Sequence, residues 1–233
     1  MKKIEIKKNS VNRKNHVLEA YTGIRQMLFH NDIVPDQKLG YRDLADRLNM
    51  SITPVVQALK FLEFQGLVRH EPNRGYYTEP IYIKEVEEIY DLRKLIEVSL
   101  LPECIKKLDE DGIYRLQTAI ELHKKAIREQ AFNQRLIEHR NFHLTIASIS
   151  GCRVQEQILN YLFDLLYLKF GGSILFVSYM GEGDIDHQRI CDAIIERDLK
   201  LSQKLLSEHI SKVKKKLIAE LGHLISERKL QVF

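Results

Sequence analysis

Residues 41–78 read YRDLADRLNMSITPVVQALKFLEFQGLVRHEPNRGYYT, and the elements predicted here indicate the fold of the first third of the chain. The apolar spacing in YRDLADRLN predicts a short helix. A second helix opens at Thr53-Pro54, where a proline costs little, with Ser51 as its N-cap and Gly66 as its stop. The runs LVRHE and YYTEP then predict two strands that are joined by the turn sequence PNRG.

The segment before this stretch completes a recognisable order of elements. Residues 16–30 place Val17, Ala20, Ile24, Met27 and Leu28 on one helical face, and IVPDQKLG then breaks the pattern. Three short helices followed by a β-hairpin, with a short turn between the second and third helices, are the order of a winged helix-turn-helix. We therefore predict such a domain over residues 15–80.

The chain after Pro80 changes to long amphipathic helices with few breakers. Pro102 is expected to kink or end the first of them, and Gly171-Gly172 and the segment MGEGD at 180–184 are the clearest punctuation. The predicted helices span residues 84–107, 112–130, 132–149, 153–170, 184–197 and 199–227. The fold class is therefore mainly α, with an all-α helical bundle over residues 81–233.

Composition excludes several classes of protein. The 233 residues carry 36 Lys plus Arg against 32 Asp plus Glu, and no apolar run approaches the roughly 20 residues that cross a bilayer. The basic N-terminus lacks the apolar core of a signal peptide. Three cysteines without a CxxC pair fit a reducing compartment. We expect a cytoplasmic protein without a membrane partner.

Positive charge is concentrated in residues 1–14, which hold six basic side chains and one acidic side chain. A short basic tail of this kind is typical of an arm that contacts phosphates. The alternative is a disordered terminus that only aids solubility.

Two of the nine histidines stand four residues apart on one predicted helix. His139 and His143 therefore share a helical face, where two imidazoles can bind one metal ion. The pattern alone is weak, because most such pairs are surface or core histidines. His187 and His209 lie on later predicted helices, and four histidines from three helices can meet inside a bundle.

Over residues 15–80 the chain resembles the GntR family of bacterial transcription regulators. From residue 81 it resembles the FadR-type helical domain of that family, in the stretches EIYDLRKLIE, HRNFH and DHQRICDAIIERDLKLSQKLLSEH. The winged-domain matches are Ala58-Leu59, Leu62-Glu63, Gly66-Leu67-Val68 and Asn73-Arg74-Gly75. The resemblance implies a homodimeric regulator that binds a double-stranded DNA operator, with the helical domain binding an effector and dimerising.

The resemblance also implies a metal site. Its ligands fall on His139, His143, His187 and His209, although the family usually has Asp where His139 stands. An all-nitrogen set favours Zn, Ni or Cu over Mn or Mg. We expect one divalent transition metal ion, Zn in preference to Ni or another metal. In the alternative, His139 is not a ligand and three histidines hold the ion.

Many members of the family sense small organic acids, and a metal ion with open positions attracts a carboxylate. Arg93, in DLRKLIE, matches a family position that points into the ligand cavity, where it would bind a carboxylate in bidentate fashion. The alternative is that Arg93 pairs with Asp91 or Glu97 on the helix surface.

The predicted recognition helix departs from the family. In the family this helix normally begins Ser-Arg-Thr-Pro-Val-Arg. In this chain Ile52 and Val56 stand where the two arginines would be. One interpretation is an A·T-rich operator, with Ile52 and Val56 against thymine methyl groups. In the other, DNA binding is lost and the protein is an interaction module. The expected DNA contacts are Arg42, Ser51, Thr53, Gln57, Lys60 and Arg74.

A metal-dependent hydrolase or lyase is the rival from another class. It needs a general base or nucleophile beside the metal. Asp186 and Glu208 adjoin candidate histidines, but neighbouring helix residues point in different directions, and no HExxH sequence is present. We therefore predict that the protein is not an enzyme.

Overall fold

The chain forms two compact units whose main division lies between Ile81 and Tyr82, and Tyr167–Lys169 group with the first unit. The computed structural model describes the backbone of residues 3–169 and 183–226, and the side chains of residues 16–169 and 185–223. The predicted punctuation at Gly171-Gly172 and the side chains of the basic segment 1–14 lie outside the described residues.

The first unit is a winged helix-turn-helix, as predicted. Its sheet has the antiparallel order β1-β3-β2, with Tyr77 on the central strand opposite Lys38 on one side and Arg69 on the other. The elements are α1 (Lys3–Phe29), β1 (Lys38–Leu39), α2 (Tyr41–Arg47), α3 (Ile52–Phe64), β2 (Val68–Glu71) and β3 (Gly75–Thr78).

Helix α3 is held by an apolar face that packs on α1 and α2. The fully buried residues on that face are Val55, Ala58, Leu59 and Leu62. Burying each of the larger side chains, those of Val55, Leu59 and Leu62, stabilises the fold by about 1.5–3 kcal/mol. The helix ends at Gly66, whose φ of +68° is a left-handed conformation that side chains disfavour. The same burial pattern therefore sets which residues of α3 face away from the core.

The elements of this unit differ from the predicted ones in two places. Helix α1 begins at Lys3 rather than near residue 16, because the polar segment contains no helix breaker even though it lacks an apolar stripe. Strand β1 was not predicted, since two residues are too short to show an alternating pattern; it exists through its pairing with β3. Ser51 does occupy the N-cap of α3, but its side chain makes no capping hydrogen bond.

The second unit consists of helices over the described residues, in agreement with the predicted bundle. Pro102 lies inside α4 without ending it, and the single helix predicted over 153–170 is an α-helix followed by a π-helical turn at Leu165–Lys169. The helices are α4 (Ile83–Lys107), α5 (Glu110–Arg128), α6 (Phe132–Ser150), α7 (Arg153–Asp164), α8 (Gly183–Ile195) and α9 (Leu199–Ser226).

Candidate metal centre and nucleic-acid interface

Four histidines from three helices converge in the helical unit. Helix α6 supplies His139 and His143, α8 supplies His187 and α9 supplies His209. Each offers one ring nitrogen, and these four nitrogens all lie within 4.8 Å of one another. All four side chains are buried. The structure therefore brings together every residue that the sequence suggested as a metal ligand.

Each histidine stands at an inward position of an amphipathic helix. On α6 the buried stripe passes through His139, Phe142, His143 and Ile146, at the spacing of one helical face. On α8 and α9 the histidines occupy the same stripes as Ile190, Cys191 and Ile194, and as Leu205, Leu206 and Ile210. The hydrophobic packing that forms the bundle thus also directs the imidazoles into it.

A buried carboxylate is hydrogen-bonded to the ring of His143. Nδ1 of His143 lies 2.5 Å from Oε2 of Glu97, and Oε1 of Glu97 accepts a hydrogen bond from Nε of Arg93 at 2.8 Å. Because an ionised carboxylate can only accept, Nδ1 of His143 carries the proton and Nε2 keeps a lone pair. This carboxylate–histidine arrangement is typical of metal-binding histidines.

A carboxylate also lies near His209, but at a longer distance. Its Nδ1 lies 3.8 Å from Oδ2 of Asp186, which also pairs with Nζ of Lys212 at 3.3 Å. These two neighbours lower the pKa of Asp186, so it remains ionised beside the imidazole.

Burial keeps three of the clustered histidines neutral, the form that binds a metal. Desolvation lowers the pKa of His139 and His187 well below the usual value, and lowers that of His143 to about 4 against the opposing effect of Glu97. Burial by itself would raise the pKa of Glu97, but the charges and hydrogen bonds of Arg93 and His143 bring it down to about 2.

The ring nitrogens of the cluster fit a bound cation. Nε2 of His143, Nε2 of His209 and both ring nitrogens of His187 are buried, and none makes a hydrogen bond to any part of the chain that the structure describes. A buried polar group left without a partner costs about 1–3 kcal/mol. Coordination to a metal ion would satisfy such nitrogens, since each neutral imidazole offers a lone pair.

Two buried residues beside the cluster were missed in the sequence. His123 on α5 is buried, and its ring centre lies 4.8 Å from that of His187. Desolvation, followed by the charge of Arg135, lowers its pKa to about 3. Arg135 is also buried and lowers the pKa of His187. His123 follows Leu116, Ala119 and Ile120 on the buried stripe of α5, which is the signal that could have placed it.

Arg93 is buried at the centre of this polar group rather than exposed on α4. Its guanidinium pairs with Glu97 and lies over the rings of Phe163 and Tyr90, at 4.1 and 5.1 Å from their centres. Asp91 instead pairs with Lys214 at 2.8 Å. The pairing with Glu97 that we considered for the helix surface therefore exists, but in the interior.

The residues predicted to contact DNA lie on the surface of the winged unit. All six are exposed: Arg42, Ser51, Thr53, Gln57, Lys60 and Arg74. Arg74 at the wing turn makes a 3.5 Å ion pair with Glu71 but keeps 75% of its side chain exposed. Ile52 is 41% exposed, and Val56 is partly exposed on the same side of α3.

Comparison with known proteins identifies the family of the chain. The profile of the FCD domain matches residues 88–212, more than half of the sequence, and that of the bacterial regulatory proteins of the gntR family matches residues 17–77. This chain belongs to the GntR family. As a GntR-family protein it is a DNA-binding transcription regulator.

Individual relatives are similar to this chain over most of its length. It is 22% identical to the Bacillus subtilis HTH-type transcriptional regulator YdhC over 209 residues, covering 89% of this chain and 88% of YdhC. It is 22% identical to the Escherichia coli transcriptional repressor GlaR over 201 residues, covering 83% and 91%. The fold matches that of E. coli McbR/YncC with a TM-score of 0.75 at 20% identity, covering 88% and 98%.

These relatives are transcription regulators rather than enzymes, in agreement with our expectation for the GntR chain. Among its described residues, no helix is both long and apolar enough to cross a lipid bilayer.

Proposed function

We propose that this GntR regulator binds operator DNA as a cytoplasmic homodimer under the control of a small carboxylate. The carboxylate would bind at a divalent metal ion held by His139, His143, His187 and His209. The observation that carries this proposal is the buried cluster of four mutually close ring nitrogens. DNA binding itself follows from the family and from the exposed face of α3.

The donor set favours zinc. Four imidazole nitrogens suit Zn, Ni or Cu better than Mg or Mn, which prefer oxygen ligands. Glu97 is hydrogen-bonded to Nδ1 of His143, and a carboxylate in this position increases the basicity of the other ring nitrogen. When bound, the ion would act as a Lewis acid that attracts an anionic oxygen.

Positive charge around the cluster supports an anionic effector. Neutral imidazoles do not offset the charge of a divalent ion, and Glu97 is already paired with Arg93. Arg135 adds a second buried cation, close enough to lower the pKa of His123 and His187. Arg93 is the group we propose to anchor the carboxylate, because its planar guanidinium matches the two carboxylate oxygens.

Helix α4 provides a route from the effector to the winged unit. It begins at Ile83, four residues of chain after β3 ends at Thr78, and it carries both Arg93 and Glu97. An effector that changes the pairing of these two side chains therefore acts on the helix that follows the wing in the chain. Such coupling is typically worth about 1–3 kcal/mol.

An exposed apolar patch on α4 and α7 supports the homodimer. The two helices pack together, and Nε2 of Gln155 donates to Oγ of Ser99 across them at 2.8 Å. Exposed apolar side chains on two neighbouring helices are typical of association sites. The patch consists of Leu92, Leu95, Val154, Ile158 and Tyr161, which are 43–69% exposed.

Metal analysis tests the proposed site directly. The protein purified without chelators should contain one zinc ion per chain by elemental analysis, and His143→Ala and His209→Ala should lose most of it. His223→Ala is the matched control, because His223 is exposed on the same helix as His209. His123→Ala should also keep the ion, since His123 is outside the group of four. Metal-free wild-type protein, or full occupancy in His143→Ala, would refute the site.

Sedimentation tests the dimer. Leu95→Glu combined with Val154→Glu should shift the protein to a monomer, whereas Leu122→Glu on the exposed side of α5 should leave the dimer intact. Dimers of equal strength in both variants would contradict the proposed interface.

DNA binding is tested by electrophoretic mobility on genomic fragments at several salt concentrations. The regulator should retain a specific subset of fragments at salt concentrations that release the rest. Addition of small carboxylates to the zinc-loaded protein should change that retention, and the metal-free protein should not respond.

A further inference from the structure

Helix α3 exposes two apolar residues near its N-terminus, the part of a recognition helix that contacts bases. Val55, Ala58, Leu59 and Leu62 are fully buried, so Ile52 and Val56 face away from the core. These two residues are one helical turn apart at the start of the helix. In helix-turn-helix proteins the N-terminal residues of the recognition helix contact base edges in the major groove.

The chemistry of these two side chains restricts what they can read. Neither Ile52 nor Val56 has a hydrogen-bond donor or acceptor, so neither can pair with the O6 and N7 atoms of guanine or the N4 amino group of cytosine. Covering those polar atoms with a hydrocarbon would leave them without partners. The C5-methyl group of thymine is the apolar feature of the major groove. Contact with it removes hydrocarbon from water on both sides.

Polar and cationic residues around the pair fit a duplex better than a protein partner. Thr53 and Gln57 are exposed beside it, and glutamine is suited to the N6 and N7 atoms of adenine. Arg42, Lys60 and Arg74 add three exposed cations from α2, α3 and the wing turn. Exposed cations on the same unit as the apolar pair complement the phosphates that flank a thymine-containing groove.

We infer that Ile52 and Val56 read thymine methyl groups, and that the operator half-site therefore carries thymines opposite the first two turns of α3. This inference rests on the operator binding proposed above and assigns its sequence preference. The two side chains act as specificity-determining residues, while the cations around them supply affinity that does not depend on sequence.

The test uses deoxyuridine, which differs from thymidine only by the missing methyl group. Half-sites would first be selected from random duplex DNA by the wild-type protein. Each thymine in the selected site would then be replaced by deoxyuridine, and the dissociation constants would be compared at fixed salt. Replacement of a contacted thymine should weaken binding about fourfold per methyl group, from the transfer free energy of one such group.

Variants assign each methyl contact to a side chain. Ile52→Ala and Val56→Ala should each lose sensitivity to one of the deoxyuridine positions. Lys60→Ala is the control and should weaken binding to both duplexes equally. Ile52→Arg combined with Val56→Arg should shift selection from thymine toward guanine by about tenfold or more.

The outcomes separate this inference from the function on which it rests. Absence of any sequence-specific binding would overturn the operator proposal itself. Specific binding to half-sites without thymine, or specific binding that deoxyuridine leaves unchanged, would overturn only the methyl readout. A change of oligomeric state in the alanine variants, with DNA selectivity retained, would assign the apolar pair to a second copy of the chain and also overturn it.

Discussion

Nδ1 of His143 lies 2.5 Å from Oε2 of Glu97, although the two residues are 46 positions apart and on different helices. Both side chains are almost wholly buried. This contact fixes the tautomer of His143 so that Nε2 is available inside the cluster. Glu97 also binds Arg93, so one carboxylate connects the candidate metal ligand to the candidate effector anchor.

Replacement of Glu97 should weaken metal binding without removing a ligand. Glu97→Gln keeps a side chain of the same shape but loses the charge that orients and polarises His143. We expect the affinity for zinc to fall about 10- to 100-fold, which is typical of lost supporting carboxylates. Competition with a chromogenic chelator measures it. Glu88→Gln, an exposed change on the same helix, is the control; equal affinities in the two variants would contradict the role of Glu97.

The metal-free protein should lose stability as the pH falls below about 6.5. The pKa of His143 is about 4 in the folded state against 6.5 ordinarily, so between these values the unfolded state binds a proton that the folded state does not. Each such group lowers the free energy of unfolding by about 1.4 kcal/mol for each pH unit between its two pKa values. Glu97 acts in the same direction below pH 4.5, because its folded pKa is about 2.

Thermal unfolding of the metal-free protein between pH 7.5 and 4.5 measures this dependence. His139→Leu removes one histidine whose pKa is well below the usual value, so the decline of its melting temperature with falling pH should be shallower. A melting temperature that stays constant over this range would contradict the buried, neutral state of the cluster.

A change of Arg93 should separate effector binding from metal binding. Arg93→Lys keeps a positive charge beside Glu97, which avoids leaving a buried carboxylate unpaired. It loses the planar fork that binds a carboxylate with two hydrogen bonds. We expect zinc content to be unchanged and the affinity for acetate, oxalate or succinate to fall about tenfold or more.

Isothermal titration of the zinc-loaded protein with these acids measures the effect. Arg115→Lys on α5 is the control, because Arg115 binds Ser148 at the surface, among residues outside the cluster. Unaltered acid binding in Arg93→Lys would remove Arg93 from the effector site.

Gly23 should admit alanine only if the side chain of Leu48 moves. A Cβ atom at Gly23 would overlap Cδ2, the flexible end of the partly exposed Leu48 side chain. The forced change of rotamer should cost about 0.5–1.5 kcal/mol in urea unfolding, which offsets the gain in helix propensity from Gly23→Ala, and Leu48→Ala should relieve the overlap. Gly222→Ala is the matched change in a helix with open space, and it should stabilise by about 0.5–1 kcal/mol. Equal effects at the two glycines would contradict the close packing.

Local sequence patterns were sufficient to predict the fold class and the order of most elements. The breaks at Pro35 and Gly66 and the turn before Gly75 separated the elements of the winged domain, because these residues act on the backbone within one or two positions. Elements without such signals were misjudged. The N-terminal start of α1 has no apolar stripe, and the π-helical turn after Asp164 interrupts no obvious pattern.

Sequence patterns were enough to indicate the family, the order of most elements and the shared helical face of His139 and His143, because each depends on residues close together in the chain. Helix packing is what brings His187 and His209 to that face, places Glu97 against His143, and sets His123 and Arg135 beside the cluster. Periodicity shows which face of a helix is buried, but the partner of that face depends on how the helices pack, and this is a property of the whole bundle.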